Sequence, residues 1–159
     1  MLSIDGFDSL ISDANTALLG RSPATIRYSD TNDLAANAQQ NQSVIEQEVG
    51  EGANIYALWS RTDDKDPWTV MYIGQRTNKF VIERIKQHLF KLPSGTRSKL
   101  YKVRKLVQAG QQIGISAILV EPDPMRLSVE DQLIFNNTNS ETDLPWNNKS
   151  RNVSLPREK

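Results

Sequence analysis

The chain has 159 residues, of which 38% are hydrophobic, enough for one compact domain with a real core. It contains no cysteine, which excludes a disulfide framework and a thiolate zinc site, and no apolar run of about eighteen residues that could cross a bilayer. Its formal net charge is zero, but the charge is unevenly placed: from Arg76 to Lys105 ten basic residues face Glu83 alone, while up to Asp66 eleven acids face four bases.

A local positive excess of that size is the footprint of a polyanion partner, although taken alone it also fits a solvated pair of helices. The first residues, Met1-Leu2-Ser3-Ile4-Asp5, lack the basic region and apolar block of a signal peptide, and the absence of cysteine fits a reducing cytoplasm, while permitting other compartments; no membrane partner is expected. Residues 1–20 read as an amphipathic helix, with Phe7, Leu10, Ile11, Ala14, Leu18 and Leu19 on one stripe and Gly20 as its stop. Residues 21–29, with Pro23, read as a connector. A second helix is expected from a cap at Asp30 or Thr31 to about Glu48, through a weakly patterned, amide-rich middle. Gly50-Glu51-Gly52 then breaks the chain. A strand at 54–60, a polar turn around Asp63-Asp64-Lys65-Asp66-Pro67, and a strand at 68–73 read as an antiparallel hairpin. Helices are expected at about 78–90, with Asn78 as N-cap, and at 97–109, with a turn at Pro93-Ser94-Gly95 between them and Gly110 as the end. The apolar run 113–120 reads as a strand covered on both faces. A last helix, capped by Ser128, would carry Glu130 in its first turn, with Leu144-Pro145-Trp146 pinning the tail back onto the domain.

The chemistry gathers on the run from Val70 to His88. Tyr72-Ile73 ends a strand, Gly74 leaves no Cβ in the way, and Arg84 and His88 are four apart on the next helix, so they leave one face together. The hairpin brings Tyr56 beside Tyr72. This order, Ile55-Tyr56, then Tyr72-Ile73-Gly74, then Arg84-x-x-x-His88, resembles the GIY-YIG nuclease superfamily. Glu130 and Asn147 stand where family members carry a metal-binding glutamate and a later asparagine. The resemblance spans about three fifths of the chain. It departs from the pattern at Asn54, where the family has glycine, and in the long connection between the tyrosine strands.

The resemblance implies an α+β fold, with a small antiparallel-centred three-stranded sheet flanked by helices and a helical N-terminal extension. Residues 1–52 would form the extension, 53–150 the nuclease-like domain and 151–159 a mobile tail. It further implies a metal-dependent DNA endonuclease of the one-metal kind, with Mg²⁺ or Mn²⁺ on Glu130 as the single protein ligand. Arg84 offers a planar, always charged fork for phosphate, and His88 can polarise a tyrosine hydroxyl or relay a proton. Tyr56 takes the role of general base toward water, Tyr72 orients water or phosphate, and Asn147 braces the site or contacts phosphate. A free phenol titrates near 10, so the site must tune Tyr56. Arg76, Lys79, Lys86, Lys99, Lys102, Arg104 and Lys105 are candidate DNA contacts. Each residue also has an ordinary reading: tyrosines fill strand cores, Arg84 pairs with Glu83 or Asp131, Glu130 suits a helix start, and Asn148 rivals Asn147.

The compact chain, with no second recognition module, looks more like a restriction-type or mobile-element enzyme than a repair subunit. Two other readings stay open: a catalytically idle nucleic-acid-binding module, for which Asn54 leaves room, and a nuclease toxin or effector. Residues 4–49 are left to form a homodimer contact, to wrap the domain or to bind a partner.

Overall fold

The computed structural model describes residues 1–30, 32–91 and 98–147. Thr31, the turn at Pro93-Ser94-Gly95, Asn148 and the tail at 151–159 lie outside the described residues. The fold is α+β. In chain order its elements are α1 (Phe7–Leu19), β1 (Ala24–Ile26), α2 (Leu34–Gln40), α3 (Gln42–Val49), β2 (Ile55–Arg61), β3 (Thr69–Gln75), a 3-10 turn (Asn78–Phe80), α4 (Val81–Leu89), α5 (Leu100–Gln108), β4 (Gln112–Ile118) and α6 (Met125–Asn136). The four strands form one antiparallel sheet in the order β1-β4-β2-β3.

The expected three-stranded sheet is therefore corrected to four strands. The fourth comes from the connector: Ala24, Thr25 and Ile26 pair with Ile115, Gly114 and Ile113. So short a segment has almost no local pattern, and its strand character comes from pairing with a distant partner. Pro23 packs against Gly114, where an added Cβ would come within 2.8 Å of the proline ring.

The sheet is covered on both faces. Ile11, Ala14 and Leu18 of α1 meet Ile55, Ala57, Trp59 and Ile73 on one side, together with Val129 and Leu133 of α6. On the other, Ile45 and Val49 of α3, Val81, Ile85 and Leu89 of α4 and Val103 of α5 meet Tyr56 and Leu58. The apolar stripe of α1 is thus buried within the chain. Ser116 reinforces the contact, accepting from the Trp59 indole at 2.8 Å and donating to the Leu18 carbonyl at 2.8 Å.

The expected single helix over 30–48 is two. Asn41 ends α2 and precedes α3, and its amide serves the backbone beyond β1, accepting from Arg27 N–H at 2.8 Å and donating to Arg27 O at 2.6 Å. Asn37, also fully buried, does the same for Ser29 N–H and Asp30 O. The amide-rich stretch is a pair of backbone clamps, which explains its weak apolar pattern. The N-cap is Asp33, which accepts from Ala36 N–H, and not Asp30. Asn78 does not cap α4 either: its side chain accepts from Ala53 N–H at 2.9 Å, fastening the entrance of β2. The last helix begins at Met125, earlier than Ser128, so Glu130 lies in its second turn.

Candidate active site

Tyr56 stands opposite Gly74 across the β2–β3 hairpin, and Tyr72, two residues earlier on β3, leaves the same face. Gly74 is required by that pair. A Cβ there would lie 2.6 Å from the Tyr72 ring and 2.7 Å from the Tyr56 hydroxyl, closer than any van der Waals contact. Helix α4 then lays His88 against both rings. The three centroids are 5.3 Å (Tyr72–His88), 5.6 Å (Tyr56–His88) and 6.2 Å (Tyr56–Tyr72) apart.

The hydrogen bonds fix the direction of this cluster. Lys99 donates its backbone N–H to His88 Nδ1 at 3.0 Å, so Nδ1 is the unprotonated nitrogen and Nε2 carries the hydrogen. Nε2–H then donates to the Tyr56 hydroxyl at 2.8 Å. Arg84 and Tyr72 both act on the Tyr56 hydroxyl, the arginine favouring its charged form and the second phenol opposing it. Burial holds His88 neutral, pushing it down to about 3, with the Arg84 and Lys99 charges adding to the effect. Burial likewise pushes Tyr56 well above the usual phenol range, reinforced by Tyr72 and opposed by Arg84. Tyr56 is 1% exposed and its hydroxyl is enclosed by protein groups. Tyr72 is half-buried; burial and then the Glu130 charge raise it, while Arg84 and the Tyr56 hydroxyl lower it.

Arg84 is aimed by Gln87, to which it donates at 2.9 Å, while Glu83 pairs with Lys91 at 2.6 Å. Glu130 approaches from α6, which packs beside β3. Burial pushes its carboxyl up to about 7, with Asp131 adding and Arg126 opposing. A carboxylate drawn out of water beside a tyrosine suits a hard cation that keeps most of its own waters. Among the described residues no three His, Cys, Asp or Glu side chains converge.

Asn147 is a brace. Its amide accepts from Ile73 N–H and donates to Ile73 O, both at 2.9 Å, while Trp146 N–H donates to Met71 O at 3.0 Å. The tail thus pairs with the outer edge of β3, between the residues that flank Tyr72. Leu144, held at φ 43° with its side chain buried, turns the chain into this position.

Asn54 is a clamp of the same kind. It is fully buried, donates to Val120 O at 2.8 Å and to Asp123 at 3.2 Å, and accepts from Val120 N–H at 2.9 Å. Asp123 pairs with Arg126, which donates to Gln75 at 2.9 Å. One network therefore ties the start of β2, the end of β3 and the first turn of the helix that carries Glu130.

The fold brings Tyr56, Tyr72, Arg84, His88 and Lys99 together, sets Glu130 beside Tyr72, and places Asn147 behind β3. Arg76, Lys79 and Lys105 are exposed, with the Lys79 ammonium over the Phe80 ring at 5.3 Å, and Lys86, Lys102 and Arg104 are half-buried. Sequence reasoning missed Arg126 and Gln75. Arg126 had a signal, since it lies four residues before Glu130 and shares its helix face. Comparison with protein-family models, with curated proteins and with solved structures returns no match.

Proposed function

We propose that the chain is a GIY-YIG-type endonuclease, hydrolysing DNA phosphodiester bonds with one divalent cation, Mg²⁺ or Mn²⁺. The observation that carries this reading is the convergence of Tyr56, Tyr72, Arg84 and His88 around Gly74, with Glu130 acting on the Tyr72 hydroxyl. Glu130 would hold the cation, which supplies Lewis-acid chemistry to the phosphate when bound.

The chain's own residues divide the remaining work. Arg84 orients the phosphate and stabilises charge on its oxygens. Tyr72 is the hydroxyl that water can reach, so it is assigned to orient the attacking water and take its proton as the P–O bond to the 3′ oxygen breaks. Burial and then the Glu130 charge hold Tyr72 above the usual phenol range, with the Arg84 charge and the Tyr56 hydroxyl opposing them; a cation that neutralises Glu130 would favour the phenolate this requires. Tyr56, the base implied by the family resemblance, is assigned instead to support Tyr72 from inside, because it is enclosed and holds its proton. His88 keeps Tyr56 in place as a neutral donor.

The N-terminal helices, by packing on the sheet, leave the hairpin and α4 to carry the site. The departure at Asn54 does not argue for an idle module, since its side chain has a structural use that glycine lacks. Among the described residues no helix is long and apolar enough to cross a membrane.

The test is incubation of the purified protein with supercoiled plasmid in Mg²⁺, with EDTA and Glu130→Gln as controls. Mg²⁺-dependent nicking or linearisation is expected, lost in both controls, with Glu130→Gln still binding DNA. No cleavage by the wild-type protein, or cleavage indifferent to EDTA or to Glu130→Gln, would overturn the reading.

A further inference from the structure

The cations between Arg76 and Lys105 are equivalent in sequence, but those among the described residues are not equivalent in space. On α4, Arg84 and His88 are four apart and share a flank, whereas Lys86 leaves the other side. On α5, Lys105 is exposed beside Tyr101, which is 80% exposed, while Lys99 stands at the helix start against the aromatic cluster. Its backbone holds His88 at 3.0 Å, and its ammonium lies 5.0 Å from the centre of the Tyr72 ring. Ser98 fastens this junction by donating to Gln87 O at 2.7 Å. Gln87 in turn aims Arg84. Two cations from different helices are thus set around three aromatic rings, close enough that both charges act on His88.

We propose that Lys99 and Arg84 form a two-cation seat for the phosphate that is cut, and that Lys99 is a catalytic residue rather than one more contact along the DNA backbone. The proposal deepens the nuclease reading and rests on it. Tyr72 lies between the two partners this chemistry needs: the Lys99 ammonium over its face and the Glu130 charge acting on its hydroxyl. Phosphoryl transfer spreads charge over the equatorial phosphate oxygens, and preorganised cations there act mainly on the rate. An exposed lysine on the outer face of α5 acts only through counterion release, which affects binding. The neutral His88 adds no charge of its own, so among the described residues Arg84 and Lys99 bring positive charge to the cluster.

The experiment exploits two features of the chain. Replacing the Lys99 side chain leaves its backbone N–H on His88, and His88 is the single histidine, so its ring signals are unambiguous by NMR. Lys99→Ala, Lys99→Met (which keeps the stem over Tyr72), Lys99→Arg and Lys105→Ala are compared with wild type in full-length protein. Single-turnover plasmid cleavage should fall about 10²-fold in Lys99→Ala and Lys99→Met. Metal-free DNA affinity should change no more than in Lys105→Ala, and Lys99→Arg should recover part of the rate. Inorganic phosphate should shift the His88 ring signals in wild type and Lys105→Ala but not in Lys99→Ala or Lys99→Met. If Lys99→Met cleaves as fast as Lys105→Ala, or if phosphate shifts His88 equally in both, Lys99 is an ordinary backbone contact and the proposal fails. A wild-type protein that does not cut plasmid would instead sink the nuclease reading, with the phosphate titration still deciding whether the seat exists.

Discussion

Tyr56 and Tyr72 are the same side chain on two strands of unlike standing. β2 is central, paired on both sides and buried along nearly its whole length, so the Tyr56 hydroxyl meets only protein groups and receives from His88. β3 is an edge strand, half-buried, and its outer edge is taken by Trp146 and Asn147. Tyr72 therefore keeps access to solvent and to Glu130. Strand position decides which hydroxyl is an internal fixture and which one solvent can reach.

Changing Gly74 should disturb both tyrosines at once and so reduce stability and rate together. Gly74→Ala puts a methyl group 2.6 Å from one ring and 2.7 Å from the other hydroxyl. Overpacking of this kind costs about 1–3 kcal/mol, and a displacement of about 1 Å at a reacting group costs about 10²-fold in rate. Urea unfolding and single-turnover cleavage together should detect both losses. Wild-type behaviour would mean that the rings have room which the geometry denies them.

Acid should next test the enclosed side. His88 titrates from 6.5 when unfolded but is held down to about 3 in the fold. Between those values the unfolded chain binds the extra proton, so the folded state loses stability as pH falls, in total roughly 3–5 kcal/mol. His88→Gln removes this titration. Its stability, lower at pH 7, should fall less steeply than wild type from pH 6.5 to 4 in denaturant titrations. Parallel curves would show that His88 is not held neutral.

Tyr56→Phe keeps the ring but leaves the buried His88 Nε2–H without its acceptor, a loss of about 1–3 kcal/mol. For a chain of this length that lowers the melting temperature by about 2–4 °C for each kcal/mol, readable by calorimetry. An unchanged melting temperature would contradict the buried Tyr56–His88 hydrogen bond. Asn147→Ala should have the smallest effect. It removes two hydrogen bonds to Ile73 that water at the sheet edge replaces in part, costing about 1 kcal/mol in urea unfolding. Cleavage should fall more than binding, because the strand that loosens carries Tyr72.

The hairpin, the tyrosine pair and the Arg84–His88 face were legible because each depends on local periodicity: two for the strands and nearly four for the helix. Gly74 was legible as a missing Cβ, although not what fills the space. β1 was not, since three residues after a proline gain strand character only against β4. Asn37, Asn41, Asn54 and Asn147 share one lesson. Each uses its amide on backbone groups outside its own helical turn or strand, which no local pattern reveals, so Asn37 and Asn41 read as weak helix, Asn54 as a departure from a motif, and Asn147 as either a brace or a phosphate contact. The division of roles between the tyrosines was equally hidden, because it depends on which strand has neighbours on both sides. The basic run looked uniform until helix geometry set Lys99 apart from Lys105.

The direct test of the account compares Tyr72→Phe with Tyr56→Phe in the same preparation, measuring single-turnover cleavage in Mg²⁺ and melting temperature. Tyr72→Phe should lose about 10²–10⁴ in rate, the usual contribution of a positioned acid–base group. It should melt near wild type, because at a half-buried position water can take the place of the lost oxygen. Tyr56→Phe should be the less stable of the two. A Tyr72→Phe protein that cuts at the wild-type rate, or a pair of variants that lose rate and stability alike, would contradict the division between the enclosed tyrosine and the working one.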